Sequence, residues 1–225
     1  MRNRKKSGLV LLAVIFLAAI GVKGYCYQAV HSPRYALQQV QAAMAEKDQK
    51  KFEHYLDVEQ FFQQGYDDGS EQLAKHVKEL HERYPKDYFF WHEPDFMRSY
   101  TEEHRAAALP FVHSVLNDYF ASRTQAESFE ANPGVWLAGQ MEKFRTEGSF
   151  EIKSIHEQGN KAVVSLILHG TDTGYGRLLE NIPLELELER QPDEHWRIER
   201  ILNVEELTFP VAESAENFWT LQGWQ

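Results

Sequence analysis

Hydrophobic positions follow a helical period over the first two thirds of the chain and a strand period after that. From residue 32 to 144 apolar side chains recur three or four positions apart, and from Gly148 onward they alternate with polar ones. A spacing of three or four indicates helices with one buried face, whereas alternation indicates strands. The pattern therefore predicts an α+β domain in which several helices pack on one face of an antiparallel sheet of about four strands.

Several helix starts are marked by side chains that can accept hydrogen bonds from free backbone N–H groups. Ser32-Pro33 predicts the first helix, and Asp48 and Asp57 predict caps for two short helices after it. We expect the third helix to end at Gly65, because Asp67-Asp68-Gly69 is typical of a turn. Further helices are predicted where apolar stripes follow, at Leu73, Val77, Leu80 and Tyr84, at Leu109, Val112, Leu116 and Phe120, and at Leu137, Met141 and Phe144. Pro110 either kinks its helix or lies in its first turn.

The strands are predicted after residue 148. Residues 150–156 and 162–169 flank Gln158-Gly159-Asn160, which is typical of a hairpin. Residues 182–189 alternate leucine or isoleucine with polar positions, so one face is buried and the other carries the glutamates Glu185, Glu187 and Glu189. A last strand is predicted over 196–204, and the aromatic tail at 208–225 is interpreted as a short helix that docks on the domain.

An aromatic-rich stretch with two prolines interrupts the helical pattern at residues 85–99. We interpret it as an irregular loop packed against the body, or as a short helical turn. Tyr88, Phe89, Phe90 and Trp91 are candidates for contact with a partner or with a nearby membrane surface. Packing of the loop itself is the alternative explanation of these aromatic residues.

The N-terminus has the pattern of a membrane anchor. Residues 1–7 carry four cations, and residues 8–30 are almost uncharged. With Lys23 reaching toward the interface, this stretch is long enough to cross a bilayer. We expect an uncleaved signal-anchor with the N-terminus in the cytoplasm and an extracytoplasmic domain at 31–207. A cleaved signal peptide is the alternative, although the best small-residue site, Ala19-Ile20-Gly21, lies inside the apolar run.

Net charge argues against nucleic-acid binding. The chain carries 24 basic and 34 acidic residues, and five of the basic ones lie within the first 30 residues, which contain no acid. The rest therefore has a formal charge of −15, which repels a phosphate backbone. Cys26 is the only cysteine, so no disulfide is expected within the domain.

Motifs for metal, cofactor or nucleophilic chemistry are absent from the sequence. Ten histidines are present, but His76 and His81 are five residues apart, and His92-Glu93 has no second histidine at the spacing of a zinc helix. No glycine-rich phosphate loop precedes a helix, and no Gly-x-Ser-x-Gly occurs. We therefore predict neither a metal site nor a cofactor.

The segment Ser32-Pro33-Arg34-Tyr35-Ala36-Leu37, followed by Lys47-Asp48, Phe52 and Tyr55-Leu56-Asp57, resembles a group of uncharacterised bacterial membrane-anchored envelope proteins. The Asn132-Pro133-Gly134-Val135-Trp136-Leu137 segment is similar to that group as well. The order of elements over residues 31–205 is similar to the nuclear-transport-factor-two-like, or cystatin-like, cone. The chain departs from the group in the aromatic stretch and in the tail.

The resemblance implies a curved sheet around the first helix, with a cavity between them in some members. It implies no activity by itself, because the wider superfamily includes isomerases, dehydratases and binding modules. Candidate proton-transfer residues for a cone enzyme are Tyr35, Tyr55, Asp57, His113, His156 and His169. We predict instead a non-enzymatic binding or scaffold domain, in which His169 is a further candidate contact. A cone isomerase or lyase, or a small-ligand carrier, is the alternative.

Overall fold

The computed structural model describes residues 30–179 and 181–223. Within these ranges the chain forms six α-helices and one four-stranded antiparallel sheet, which confirms the predicted α+β class. The predicted basic end at 1–7 and the predicted anchor at 8–30 lie outside the described residues, apart from Val30. No helix among the described residues combines the length and apolar character needed to cross a membrane.

The elements are numbered here in chain order. The helices are α1 (Pro33–Glu46), α2 (Gln49–Tyr55), α3 (Val58–Arg83), α4 (Pro94–Phe120), α5 (Pro133–Glu147) and α6 (Val204–Leu221). The strands are β1 (Gly148–Gln158), β2 (Lys161–Gly170), β3 (Ile182–Arg190) and β4 (Trp196–Ile201), and short 3₁₀ turns lie at Tyr88–Trp91 and Gly176–Leu179. Each strand pairs with the next as an antiparallel meander.

Side-chain caps begin four helices, and three of the caps are the predicted residues Ser32, Asp48 and Asp57. The Ser32 hydroxyl accepts a hydrogen bond from the backbone N–H of Tyr35 at 3.2 Å. Asp48, Asp57 and Asn132 each accept one from the residue three positions on. A cap of this kind stabilises a helix by about 1 kcal/mol, because it satisfies a donor that has no partner within the helix.

Helix α3 is longer than the sequence predicts. It runs for 26 residues through Gly65 and Gly69, so the predicted end at Gly65 and the predicted turn at 67–69 are wrong. A glycine costs a helix interior only about 1 kcal/mol. Both halves of α3 are buried, since Phe61 packs against one hydrophobic core and Val77 lies inside a second. Tertiary packing therefore outweighs the local turn signal.

Two other boundaries also differ from the prediction. Helix α4 already begins at Pro94, so Pro110 lies in its interior and not in its first turn. The last strand ends at Ile201 and not at residue 204. The Asn203 side chain explains this end, because its Oδ1 accepts from the Glu185 N–H at 2.9 Å and its Nδ2 donates to a backbone carbonyl of β3 at 3.1 Å. Helix α6 then spans the predicted domain boundary between residues 207 and 208.

The main core lies between the sheet and helices α1, α2, α4 and α5, together with the first turns of α3. Leu37 of α1, Leu188 of β3 and Trp196 of β4 belong to one buried cluster, and Trp196 is only 1% exposed. The Trp196 indole N–H donates to the carbonyl of His31 at 3.0 Å, which ties the segment before α1 to β4. Apolar side chains therefore occupy the region between α1 and the sheet.

A second, smaller core holds together the helices farther from the sheet. It is formed by the C-terminal half of α3, the Tyr88–Trp91 turn and the start of α4, with α6 packed against it. Its buried members are Ala74, Val77, Leu80, Phe90 and Met97.

Candidate functional site

Large aromatic side chains are exposed around the Tyr88–Trp91 turn and on the first turns of α4. Tyr88 is 73% exposed, Trp91 57% and Phe96 46%. Isolated exposed apolar residues are ordinary, but a contiguous group of them marks a contact site more often than chance. We call this group the aromatic surface; it consists of Tyr88, Phe89, Trp91, Phe96 and Tyr100.

The turn that carries the aromatic surface is fixed by hydrogen bonds and by one buried anchor. The Asp87 carboxylate accepts from the Phe89 N–H at 2.8 Å, and the Trp91 indole N–H donates to the carbonyl of Pro85 at 2.9 Å. Phe90 is 8% exposed and packs in the second core. The structure therefore places Phe90 inside the molecule, whereas Tyr88, Phe89 and Trp91 remain available to a partner.

Ring stacking extends the aromatic surface along α4. Phe96, Tyr100 and His104 are spaced four residues apart on α4, so their side chains lie on one helix face, and His92 lies just before the helix. The ring centroids of His92 and Phe96 are 4.0 Å apart, and those of Tyr100 and His104 are 4.2 Å apart. These contacts restrict the rotamers of the exposed rings. Less side-chain conformational entropy is therefore lost when a partner binds.

Ion pairs flank the aromatic surface. Lys78 lies 2.9 Å from a carboxylate oxygen of Glu93, and Arg98 lies 3.1 Å from Glu71. An apolar centre with a polar border is the usual anatomy of a protein–protein interface.

A groove of 460 Å³ adjoins the aromatic surface between α3 and α6. Leu73, Phe89, Val211 and Trp219 are among its mostly apolar lining residues. A separate apolar cleft of 530 Å³ lies between α3 and α4, beside Phe62. Neither lies in the region between α1 and the sheet where the cone resemblance implies a cavity.

The proton-transfer candidates at the start of the domain have structural partners. The rings of Tyr35 and Tyr55 meet edge to face with centroids 6.1 Å apart. Asp57 caps α3, and its second oxygen lies 2.9 Å from the Arg197 guanidinium. Burial is the main reason that the pKa of Tyr55 is raised.

The histidine candidates lie elsewhere. His156 pairs with Val163 and His169 with Ser149, in register positions that face away from the core. His169 contacts the Glu151 carboxylate at 3.5 Å, and His113 is half-buried on α4. The six candidates therefore do not converge on one cavity within the described part of the chain.

The predicted glutamate face of the sheet is present and carries ion pairs. Glu187 lies 3.0 Å from Lys161 and 3.1 Å from Arg200. Burial opposes ionisation of Glu187, but the two cations outweigh it and lower its pKa. Glu199 on β4 is buried and accepts from the Gln60 amide at 3.2 Å; burial and the neighbouring Glu189 raise its pKa.

Sequence reasoning missed one cluster of metal-ligand residue types, His54, Asp193 and His195. His54 lies in the last turn of α2, and the other two belong to the turn between β3 and β4. Their side-chain donor atoms all lie within 4.8 Å of one another. His54 is about 140 positions from the other two along the chain, so only the Asp-x-His pair is visible locally.

Comparison with protein-family models, with curated proteins and with solved structures finds no significant match to this chain.

Proposed function

We propose that this protein is a membrane-anchored extracytoplasmic binding domain of the bacterial envelope, without catalytic activity, that contacts a protein partner through the aromatic surface. The observation that carries the proposal is the exposure of Tyr88, Trp91 and Phe96 on a rigid support. Tryptophan and tyrosine are the residue types that contribute most to protein interfaces, because their large rings bury much area at little entropic cost.

The charges around the aromatic surface favour a protein over a lipid bilayer as its occupant. Lys78 and Arg98, the cations of the flanking ion pairs, are both paired with glutamates. Binding to an anionic leaflet depends on clustered basic residues near the surface. Lys86 also lies beside Tyr88, but a single basic residue does not form such a cluster. Aromatic rings bordered by Lys–Glu and Arg–Glu pairs match the composition of a protein interface more closely.

We further infer that the domain belongs to the cone-like class that the SP-x-YAL opening resembles. The strand register is irregular at two places, between Ile152 and Ser154 and between Glu187 and Leu188. Irregularities of this kind bend a strand and so curve a sheet. Apolar packing between α1 and the sheet weighs against the alternatives, a cone isomerase or lyase and a small-ligand carrier in that space. A crystal structure with a flat sheet, or an open polar cavity there, would contradict this inference.

Site-specific photo-crosslinking in intact cells tests the binding proposal. A photo-reactive phenylalanine analogue replaces Tyr88, Trp91 or Phe96, and the same analogue at His156 or Glu127 serves as a control. We expect one discrete protein adduct from the first three positions and none from the controls. Adducts to lipid alone, an equal pattern at the control positions, or no adduct from any aromatic position would overturn the proposal.

A matched pair of variants separates binding from folding. Phe96→Ala should reduce the adduct formed at position 88, whereas Phe111→Ala should leave it unchanged. Phe111 is also on α4 and is 41% exposed, but it lies outside the aromatic surface. Both substitutions should change the free energy of unfolding by about 0.5 kcal/mol or less, since they remove exposed side chains.

A further inference from the structure

The cluster of His54, Asp193 and His195 joins two elements that are distant in sequence. His54 is the second-last residue of α2, and the β3–β4 turn supplies Asp193 and His195. The donor atoms of the three side chains lie within 4.8 Å of one another. Two imidazoles and one carboxylate form a donor set that suits zinc and neighbouring divalent transition metals.

His195 is oriented as a metal-bound histidine usually is. Its Nε2 lies 3.0 Å from the carbonyl oxygen of His54, to which a protonated Nε2 donates. Its Nδ1 faces the Asp193 carboxylate. When Nε2 carries the proton, the lone pair of Nδ1 points toward Asp193. A metal-bound histidine commonly donates a hydrogen bond from its other ring nitrogen to a backbone carbonyl, which fixes the tautomer of the imidazole.

His54 lies directly beside His195. Its ring stacks on that of His195 with centroids 3.9 Å apart and planes 22° apart. His54 is exposed, so its ring is able to rotate toward an ion bound beside His195.

Backbone geometry holds the Asp-x-His pair in place. The N–H of Gln191 donates to the carbonyl of His195 at 2.8 Å, and Glu194 adopts a left-handed conformation with φ 70°. Arg197 is a nearby cation, but its guanidinium is paired with Asp57 at 2.9 Å. Repulsion of a metal ion by Arg197 is thereby reduced.

We propose that His54, Asp193 and His195 bind one divalent transition metal ion of the zinc type, which clamps the end of α2 to the β3–β4 turn. A tetrahedral zinc site requires donor atoms ~3.3 Å apart. The His195 Nδ1 and the Asp193 carboxylate, which are in direct contact, therefore separate to admit the ion, and the His54 ring turns out of its stack on His195 to point at it. His54 and Asp193 are exposed and free to make this movement. Three protein ligands leave the fourth position to a water molecule.

Zinc titration of the full-length chain, purified without a histidine tag, tests the proposal. We expect one zinc ion to bind per chain by calorimetry and to raise the unfolding temperature. His54→Ala should weaken binding about tenfold or more and abolish the rise in unfolding temperature. Asp193→Asn should have the same effect. Cobalt in place of zinc should give the visible absorption of a four-coordinate ion, which is lost in His54→Ala.

Controls make the result specific to the cluster. His156→Ala removes an exposed histidine on β1, and Cys26→Ser removes the only thiol; neither should change the affinity for zinc. Circular dichroism of His54→Ala should match that of the wild type, so that weaker binding is not a result of unfolding. No zinc binding, or binding that survives His54→Ala and Asp193→Asn, would overturn the proposal.

Discussion

Glu142 on α5 connects two helices through a network of charges, and its removal should have a measurable effect on stability. One carboxylate oxygen of Glu142 lies 2.6 Å from the Lys47 ammonium, and the other lies 2.6 Å from the Arg145 guanidinium. Lys47 is the left-handed C-cap of α1, with φ 59°, and its ammonium lies 3.3 Å from the centroid of the Tyr119 ring. Glu142→Gln keeps the size of the side chain but removes its charge.

The size of the effect follows from the pKa of Glu142. The hydrogen bond from Arg145, and then that from Lys47, lower this pKa from 4.5 to about 2. At about 1.4 kcal/mol per pKa unit the shift corresponds to an upper bound of ~3 kcal/mol. The side chain of Glu142 is 31% exposed, so solvent screens its interactions. We therefore expect Glu142→Gln to lower the free energy of unfolding by about 1 to 2 kcal/mol at pH 7.

Urea unfolding followed by circular dichroism between pH 7 and pH 2 measures this effect. Because the folded-state pKa is depressed, the stabilisation is complete above the unfolded-state pKa of 4.5 and is lost as the pH falls toward about 2. The unfolding curves of wild type and variant should thus differ at pH 7 and converge at pH 2. Glu127→Gln, an exposed site, is the control and should change stability by less than about 0.5 kcal/mol.

Two results would refute this reasoning. A Glu142→Gln variant as stable as the wild type at pH 7 would mean that screening cancels the ion pairs. A difference that persists unchanged at pH 2 would mean that the variant acts through packing and not through charge.

Two further predictions concern backbone packing and topology. A Cβ at Gly170 would lie 1.6 Å from the carbonyl oxygen of Gly176, so Gly170→Ala should lower the free energy of unfolding by about 2 kcal/mol or more. At Gly65 such a Cβ would meet no described atom within 4 Å beyond its chain neighbours and the adjacent helix backbone, so Gly65→Ala should be neutral or stabilising by up to about 1 kcal/mol. Thermal unfolding that ranks the two variants in the opposite order would contradict this. For topology, protease added to intact spheroplasts should remove a C-terminal epitope tag, because we propose that the domain is extracytoplasmic. A tag that survives until the membrane is lysed would place the domain in the cytoplasm.

Most of the element types could be predicted from the sequence because local chemistry decides them. Ser32 and Asn132 cap helices since their side chains accept backbone hydrogen bonds nearby, and the alternation after residue 182 follows from a sheet with one buried face. Local rules failed where distant packing competes with them. Gly65 and Gly69 predict a break in α3, but two separate cores bury the residues on either side.

The candidate sites were only partly predictable for the same reason. The exposure of Tyr88 and Trp91 and the burial of Phe90 depend on which helices surround a single turn, and adjacent aromatic residues look alike in sequence. His54 and His195 meet through the fold alone. No local motif relates residues about 140 positions apart, so an approach through spacing could not have found that cluster.

The unbroken course of α3 has a consequence for how the protein can be used. Its 26 residues span ~39 Å, from the edge of the sheet beside Ile198 to Tyr84 next to the aromatic surface. The helix thus acts as a rigid spacer between the two ends of the domain. A protein partner bound at the aromatic surface would leave the end of the domain at His54 uncovered. The proposed partner and the proposed metal ion would therefore not compete for the same part of the domain.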